Sequence, residues 1–369
     1  MMANSQRLDR LRAVLNAENY EVAALVPGSN FRYLTDSIHF LMERPLVLFV
    51  PKQGRPALVI PHLETELFTS HGFDTELFPW VDGQGYAGAF SAAAQYLHLD
   101  GKTVAVEGQL MRFFEVEAIR RAASDVQVID GHHALSSIRL RKDAQEIASL
   151  RRAIQISETA LARTLEQVKV GMTERQVLNL LVGTMQELGG EGLSFEPIVL
   201  AGDNSSRPHG KVRNDYAIRE GDPLLFDFGC TVGGYHADIT RTVFVGAPSD
   251  EHRAIYAAVL AANERGRKTA RPGIAGRDVD AQTAQVLRDA GYSDLIAHRT
   301  GHGLGLDIHE APYISPDSAT LLEPGMVFTI EPGLYRAGSV GIRIEDNVVV
   351  TEDGCESLST FSRDLLVIG

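Results

Sequence analysis

LLFDFGCTVGGYHADITRT, residues 224–242, sets two apolar, strand-like runs on either side of a glycine turn, and each run carries one aspartate, Asp227 and Asp238. Aspartate is depleted in strands because its short carboxylate competes with the backbone and resists burial. Two such groups in a core need partners. A turn at Val232–Gly233 sets the aspartates directly opposite; a turn at Gly233–Gly234 makes them diagonal neighbours on the same face. Directly opposed Cβ atoms stand about 5 Å apart, so the carboxylates repel unless they share a proton or a cation. The first case is an acid–base dyad, the second a dinuclear cation site.

A second hairpin repeats the pattern. MVFTIEPG holds Glu331 and GIRIEDNVVV holds Glu345, with their midpoint at Gly338 inside RAGSV. Four carboxylates exceed what a proton dyad requires and suit hard or borderline divalent cations. His298, His302 and His309 cluster in HRTGHGLGLDIHE, while His209 sits alone in RPHG. The glycines between His302 and His309 exclude a helix, and with it the HExxH zinc arrangement. They allow a backbone to approach a ligand or a neighbouring strand closely.

The chain has 369 residues, 44% of them hydrophobic and 22% charged, which fits two globular domains. A formal net charge of −13 argues against nucleic acid or an anionic membrane as the main partner. Two cysteines, Cys230 and Cys355, make no disulfide framework or thiolate metal site. No apolar run has signal-peptide or membrane-spanning length, so a cytoplasmic protein is expected.

Strands and helices alternate over residues 1–135: an amphipathic helix at 6–18, the hairpin PLVLFVPKQGRPALVI and the strand TVAVEG. At IRLRKDAQEI, Asp143 and Glu146 form the signature of a helix N-cap and its reciprocal partner, opening a second domain at 136–369. Within it, RRAI recurs as HRAI, GMTERQV as GIAGRDV and FDFG as IEPG at a nearly constant offset. Such spacing points to a duplication, each half running helix, helix, carboxylate-bearing strand.

Together, FDFG…HADITRT, GHGLGLDIHE, TIEPG and GIRIED resemble the pita-bread metallopeptidases, across the whole of 140–369. SNFRYLTD and the 46–60 hairpin resemble the amino-terminal domain of the proline-specific branch, the Xaa-Pro aminopeptidases and prolidases. The implied fold is α+β: a creatinase-like α/β domain followed by a pseudo-twofold pita-bread domain. The resemblance implies that Asp227 binds one divalent metal ion, that Asp238 and Glu345 bridge two, and that His302 and Glu331 complete the coordination of the second metal. Mn2+ is the expected metal, with Co2+ or Zn2+ as alternatives.

His209 and His309 are then outer histidines that stabilise the tetrahedral intermediate. His298 lies near the substrate, and Arg343 ties the carboxylates in place. Glu331 also shuttles a proton, and a hydroxide between the metals is the nucleophile. The implied substrate is a peptide with proline at the second position, and the implied assembly is a homodimer formed through the first domain, whose other role is substrate access. A strict dipeptidase must recognise a free C-terminal carboxylate, normally with a basic residue. Between His309 and Glu331 there is neither Arg nor Lys, which favours an Xaa-Pro aminopeptidase of the aminopeptidase P type over a prolidase.

Other motifs carry less. GQGYAG at 83–88 matches G-x-G-x-x-G, but Pro79 interrupts the strand a dinucleotide fingerprint needs. Cys230 reads as a small core residue, His132 and His133 as loop, and His236 either as a neighbour of the site or as a solvated turn residue. Two carboxylates without metal would suit a glycosidase, and a scaffold that only binds peptides would need no intact ligand set.

Overall fold

The computed structural model describes residues 2–369, with side chains from residue 5 onward. The chain divides into two compact units that meet between Arg139 and Leu140, a few residues beyond the boundary read from sequence. No helix among the described residues is long and apolar enough to cross a membrane.

The first unit is one six-stranded mixed sheet, ordered Glu76–Trp80, Ala57–Pro61, Val47–Pro51, Val22–Leu25, Thr103–Val106 and Gln127–Asp130. The three strands from Ala57–Pro61 to Val22–Leu25 are buried along their whole length, as continuous apolar runs demand. Val47–Pro51 and Ala57–Pro61 form the expected hairpin, with Leu48 opposite Leu58. One expectation is corrected: Glu76–Trp80 is a strand in spite of Pro79, pairing in parallel with Ala57–Pro61. It lies at the sheet edge, where one side of the backbone has no neighbour and a missing N–H is tolerated. A Cβ at Gly83, Gly85 or Gly88 would meet nothing within 4 Å, so GQGYAG lacks the close approaches of a dinucleotide fingerprint. His132 and His133 open a short helix, His132–Ser136, rather than lying in a loop.

The second unit runs helix Ala144–Leu165, helix Glu174–Glu187, strand Pro223–Phe228, then helix Asp250–Thr269, helix Gly276–Asp289, strand Val327–Ile330. This is the repeated order that the duplicated motifs imply. Asp143 accepts from the N–H groups of Gln145 and Glu146, both at 2.9 Å, and Glu146 Oε2 accepts from Asp143 N at 2.8 Å. That capping box satisfies donors otherwise orphaned at the helix start. The first helix pair packs Leu150, Leu161 and Leu181 onto Phe226 and Phe228 in one apolar core, which also encloses Cys230. The second half buries Val279, Phe328 and Ile330 in its own.

The glycine turn settles the register of the opening stretch. Gly233 and Gly234 have φ of 59° and 79°, the left-handed pair a two-residue hairpin turn requires. Val232 then faces Tyr235, and Thr240 faces Asp227. Asp227 and Asp238 are therefore diagonal neighbours on one face. In the second hairpin, Ile330 faces Asp346 and Gly333 faces Arg343. The register shared by these two pairs sets Glu331 opposite Glu345.

Candidate metal centre

All nine side chains singled out from sequence line one cavity of about 510 Å3, together with an apolar wall that includes Phe195, Ile198 and Ile308. Asp227 is the penultimate residue of the strand Pro223–Phe228, and Asp238 precedes Ile239–Val245. His302 lies in the short strand Gly301–Gly303, and Glu331 and Glu345 come from the second hairpin. Asp238, His302 and Glu345 are buried. His309 and His209 are exposed, His309 with its ring centroid 3.9 Å from that of His302.

Donor atoms of Asp227, Asp238 and Glu345 lie within 4.8 Å of one another, as do those of His302, Glu331 and Glu345, and of Asp238, His302 and His309. His302 Nε2 is 3.3 Å from Glu331 Oε1 and 3.5 Å from Asp238 Oδ2. Burial pushes Asp238 and Glu345 well above the ordinary carboxylate range, and the neighbouring carboxylates add to it. Burial raises Glu331 to about 7 against the opposing charge of Arg343. It lowers His302 to about 3, keeping the imidazole neutral and able to act as a ligand. Arg343 alone cannot neutralise four carboxylates, and Asp227 Oδ1 is buried with no hydrogen-bond partner. An orphaned carboxylate oxygen facing such an oxygen-rich set fits a divalent cation.

Around these groups runs a layer of hydrogen bonds. Arg343 Nη2 donates to Asp227 Oδ2, its Nε to Thr240 Oγ1 at 3.0 Å, and its Nη1 to Tyr335 Oη at 2.5 Å. Thr240 Oγ1 donates in turn to Glu345 Oε2 at 2.6 Å, and Thr329 Oγ1 to Glu331 Oε1 at 3.1 Å. Asn347 brackets the backbone of Asp238, donating to its carbonyl and accepting from its N–H. Such outer contacts fix the carboxylates before any ligand arrives.

His298 lines the cavity with both ring nitrogens hydrogen-bonded. The Arg299 backbone carbonyl can only accept, so His298 Nδ1 carries the ring proton and donates to it at 2.8 Å. Nε2 of the neutral ring then accepts from the Tyr335 hydroxyl, 2.9 Å away, and that hydroxyl in turn accepts from Arg343. Both nitrogens are used within the wall of the cavity. Burial lowers this histidine to about 4, consistent with a neutral ring. His236 does not line the cavity; its N–H donates to Gly305 O at 2.9 Å.

Sequence reading missed Arg299. Arg299 lines the cavity, its guanidinium lies 4.7 Å from the centroid of the Tyr313 ring, and no carboxylate among the described residues pairs with it. The signal was its position beside His298 in HRTGH, which spacing alone does not interpret. Thr240 and Tyr335 were missed for a like reason, since polar residues in strands carry no mark of function.

The model of metallopeptidase family M24 matches residues 148–352, and that of the creatinase/prolidase N-terminal domain matches residues 7–141. The chain belongs to metallopeptidase family M24. Among M24 relatives, a putative dipeptidase of Bacillus subtilis, YkvY, is 31% identical over 98% of this chain and 99% of its own length. An Xaa-Pro dipeptidase from Bacillus anthracis superposes with a TM-score of 0.91 at 31% identity, covering 99% of this chain and 100% of that one. An X-Pro aminopeptidase from Thermotoga maritima gives 0.85 at 32% identity, covering 98% and 99%. The expected α+β fold, a creatinase-type domain before an M24 pita-bread domain, is thereby established, and the protein is a metallopeptidase acting on peptides.

Proposed function

We propose that the protein is an Xaa-Pro dipeptidase, a prolidase, rather than the aminopeptidase P expected from sequence. Arg299 carries this reading. It supplies, from another loop, the basic group that is missing between His309 and Glu331, and its charge is uncommitted. A guanidinium is suited to receive a free carboxylate through paired N–H donors. Dipeptidase and prolidase relatives support the same choice. Phe195, Ile198 and Ile308 offer an apolar surface suited to the pyrrolidine ring.

Asp227, Asp238, His302, Glu331 and Glu345 would hold two divalent cations, Mn2+ first among the candidates by their oxygen-rich donor set. When bound, such cations act as Lewis acids and allow water to ionise near neutral pH. The chain's own groups do the rest. Arg299 fixes the proline carboxylate, which aligns the peptide bond. His309 and His209 donate N–H bonds to the carbonyl oxygen as it gains charge. Glu331 takes the proton of the attacking water and passes it to the imide nitrogen as the C–N bond breaks. His298, with both nitrogens engaged, holds Arg299 and Tyr335 in position and does not touch substrate.

Homodimer formation through the first unit belongs to the same reading, supported by the exposed Phe40, Met42 and Leu63 there. The deciding experiment compares Xaa-Pro dipeptides with Xaa-Pro-Yaa tripeptides in Mn2+. Dipeptides should be cleaved at least about tenfold better, as charge-assisted recognition of the carboxylate requires. Preferential cleavage of tripeptides would return the protein to the aminopeptidases.

A further inference from the structure

Glu174 is fully buried at the first turn of the helix Glu174–Glu187 and does not line the cavity. Its carboxylate nevertheless collects donors from both ends of the segment that carries His209. Oε1 accepts from Ala201 N at 2.8 Å, and Oε2 accepts from Arg213 N at 2.6 Å. Asn204 Nδ2 lies 3.1 and 3.0 Å from the two oxygens, and the Arg213 guanidinium pairs with Oε1 at 3.2 Å. Asn204 Nδ2 also donates to Lys211 O at 3.0 Å, inside the same segment. From there two backbone bonds lead to the histidine: Arg207 N to Asn204 O at 3.1 Å, and Gly210 N to Arg207 O at 3.0 Å, with His209 at the tip.

The other side of the segment is pinned to the second carboxylate hairpin. Ser205 Oγ accepts from Gly341 N at 2.9 Å, and Ser206 Oγ from Gly338 N at 3.1 Å. A Cβ at position 341 would stand 1.9 Å from the Ser205 carbonyl oxygen, so only glycine permits this approach. A segment with so little regular structure would otherwise lose much of its conformational entropy only on binding substrate. A buried carboxylate penalises release of either end, because each lost donor leaves charge unsolvated.

We infer that Glu174 is a positioning residue for His209, clamping both ends of the 201–213 segment so that the imidazole stands ready at the cavity. This rests on the reading that His209 acts on the substrate carbonyl. Glu174 then acts on kcat through His209, not on metal retention or substrate capture.

The test is a double-mutant cycle of Glu174→Gln and His209→Ala in the full-length, Mn2+-loaded protein, with Arg213→Lys as a milder variant should Glu174→Gln fail to fold. Glu174→Gln should lower kcat by about 10- to 100-fold, the scale of a misplaced catalytic group. KM should stay within about threefold and bound Mn2+ unchanged, since binding is left intact. Amide hydrogen exchange should quicken in residues 202–213. In the His209→Ala background, Glu174→Gln should cost less than about twofold, because the two changes remove one function. Arg213→Lys should show the same pattern more weakly. An equal loss in both backgrounds, unchanged exchange in the segment, or wild-type kcat with a loosened segment would each overturn the clamp. A neutral His209→Ala would instead overturn the role of His209 itself, and the clamp with it.

Discussion

Thr240 Oγ1 donates a 2.6 Å hydrogen bond to Glu345 Oε2, joining the two carboxylate hairpins through one hydroxyl. The same oxygen accepts from Arg343 Nε at 3.0 Å, so one hydroxyl links the guanidinium to the carboxylate. Thr240 also stands opposite Asp227 in the strand register. One buried residue thus aligns a carboxylate from each half of the duplicated unit, and the cluster acts as a single polyanionic cage.

Asp238→Asn removes one of the charges that lie nearest to Glu345 and His302. Bound metal should fall to one ion per chain or fewer, and kcat by at least about 100-fold, the scale of lost ligand or supporting contacts. Elemental analysis beside initial rates checks both. Full metal content with full activity would remove Asp238 from the centre.

Arg299→Gln keeps a planar polar group but removes the charge. KM for an Xaa-Pro dipeptide should rise about 10- to 100-fold, as expected for one charge-assisted carboxylate bond. The corresponding dipeptide amide, which has no carboxylate, should be cleaved equally by both proteins. Steady-state kinetics on the pair tests the assignment.

His298 has a folded value of about 4 against 6.5 for the free side chain. Its value is depressed, so the unfolded chain binds the extra proton between these limits. The stability it contributes is complete above pH 6.5 and is lost as pH falls towards 4. Urea midpoints measured across this window should drop more steeply for the wild type than for His298→Gln, by about one proton of slope. Parallel curves would show that the fold does not disfavour the protonated histidine.

Arg241 is buried and pairs with Asp346 at 2.8 Å. It also donates to the carbonyls of Phe361 and Ser362, both near the C-terminus. Arg241→Met should cost about 3–5 kcal/mol, since it leaves a buried carboxylate with less compensation. A lowered urea midpoint with an unchanged m-value is the expected signature.

How much of this was legible beforehand differs from residue to residue. The Asp143–Glu146 box was readable because its bonds are local. Glu331 and Glu345 could be set face to face by counting from Gly338, since a hairpin preserves that count. Asp227 and Asp238 could be given one face but not one register, because two glycines offered two turns and only their backbone angles chose. Pro79 misled because edge and centre strands look alike in sequence.

The sequence by itself determined the pairing of the four carboxylates, because strand alternation and hairpin counting are short-range, and its motifs, through the resemblance they carry, pointed to the family and to the five further residues that line the cavity. Only the tertiary structure decided what those residues do to each other. The chain Arg343–Tyr335–His298 committed a histidine to the wall, Arg299 turned up as a cavity cation with no carboxylate partner among the described residues, and Glu174 gathered a distant loop. Each depends on contacts between residues far apart in the chain, and spacing along a sequence carries no record of such distances.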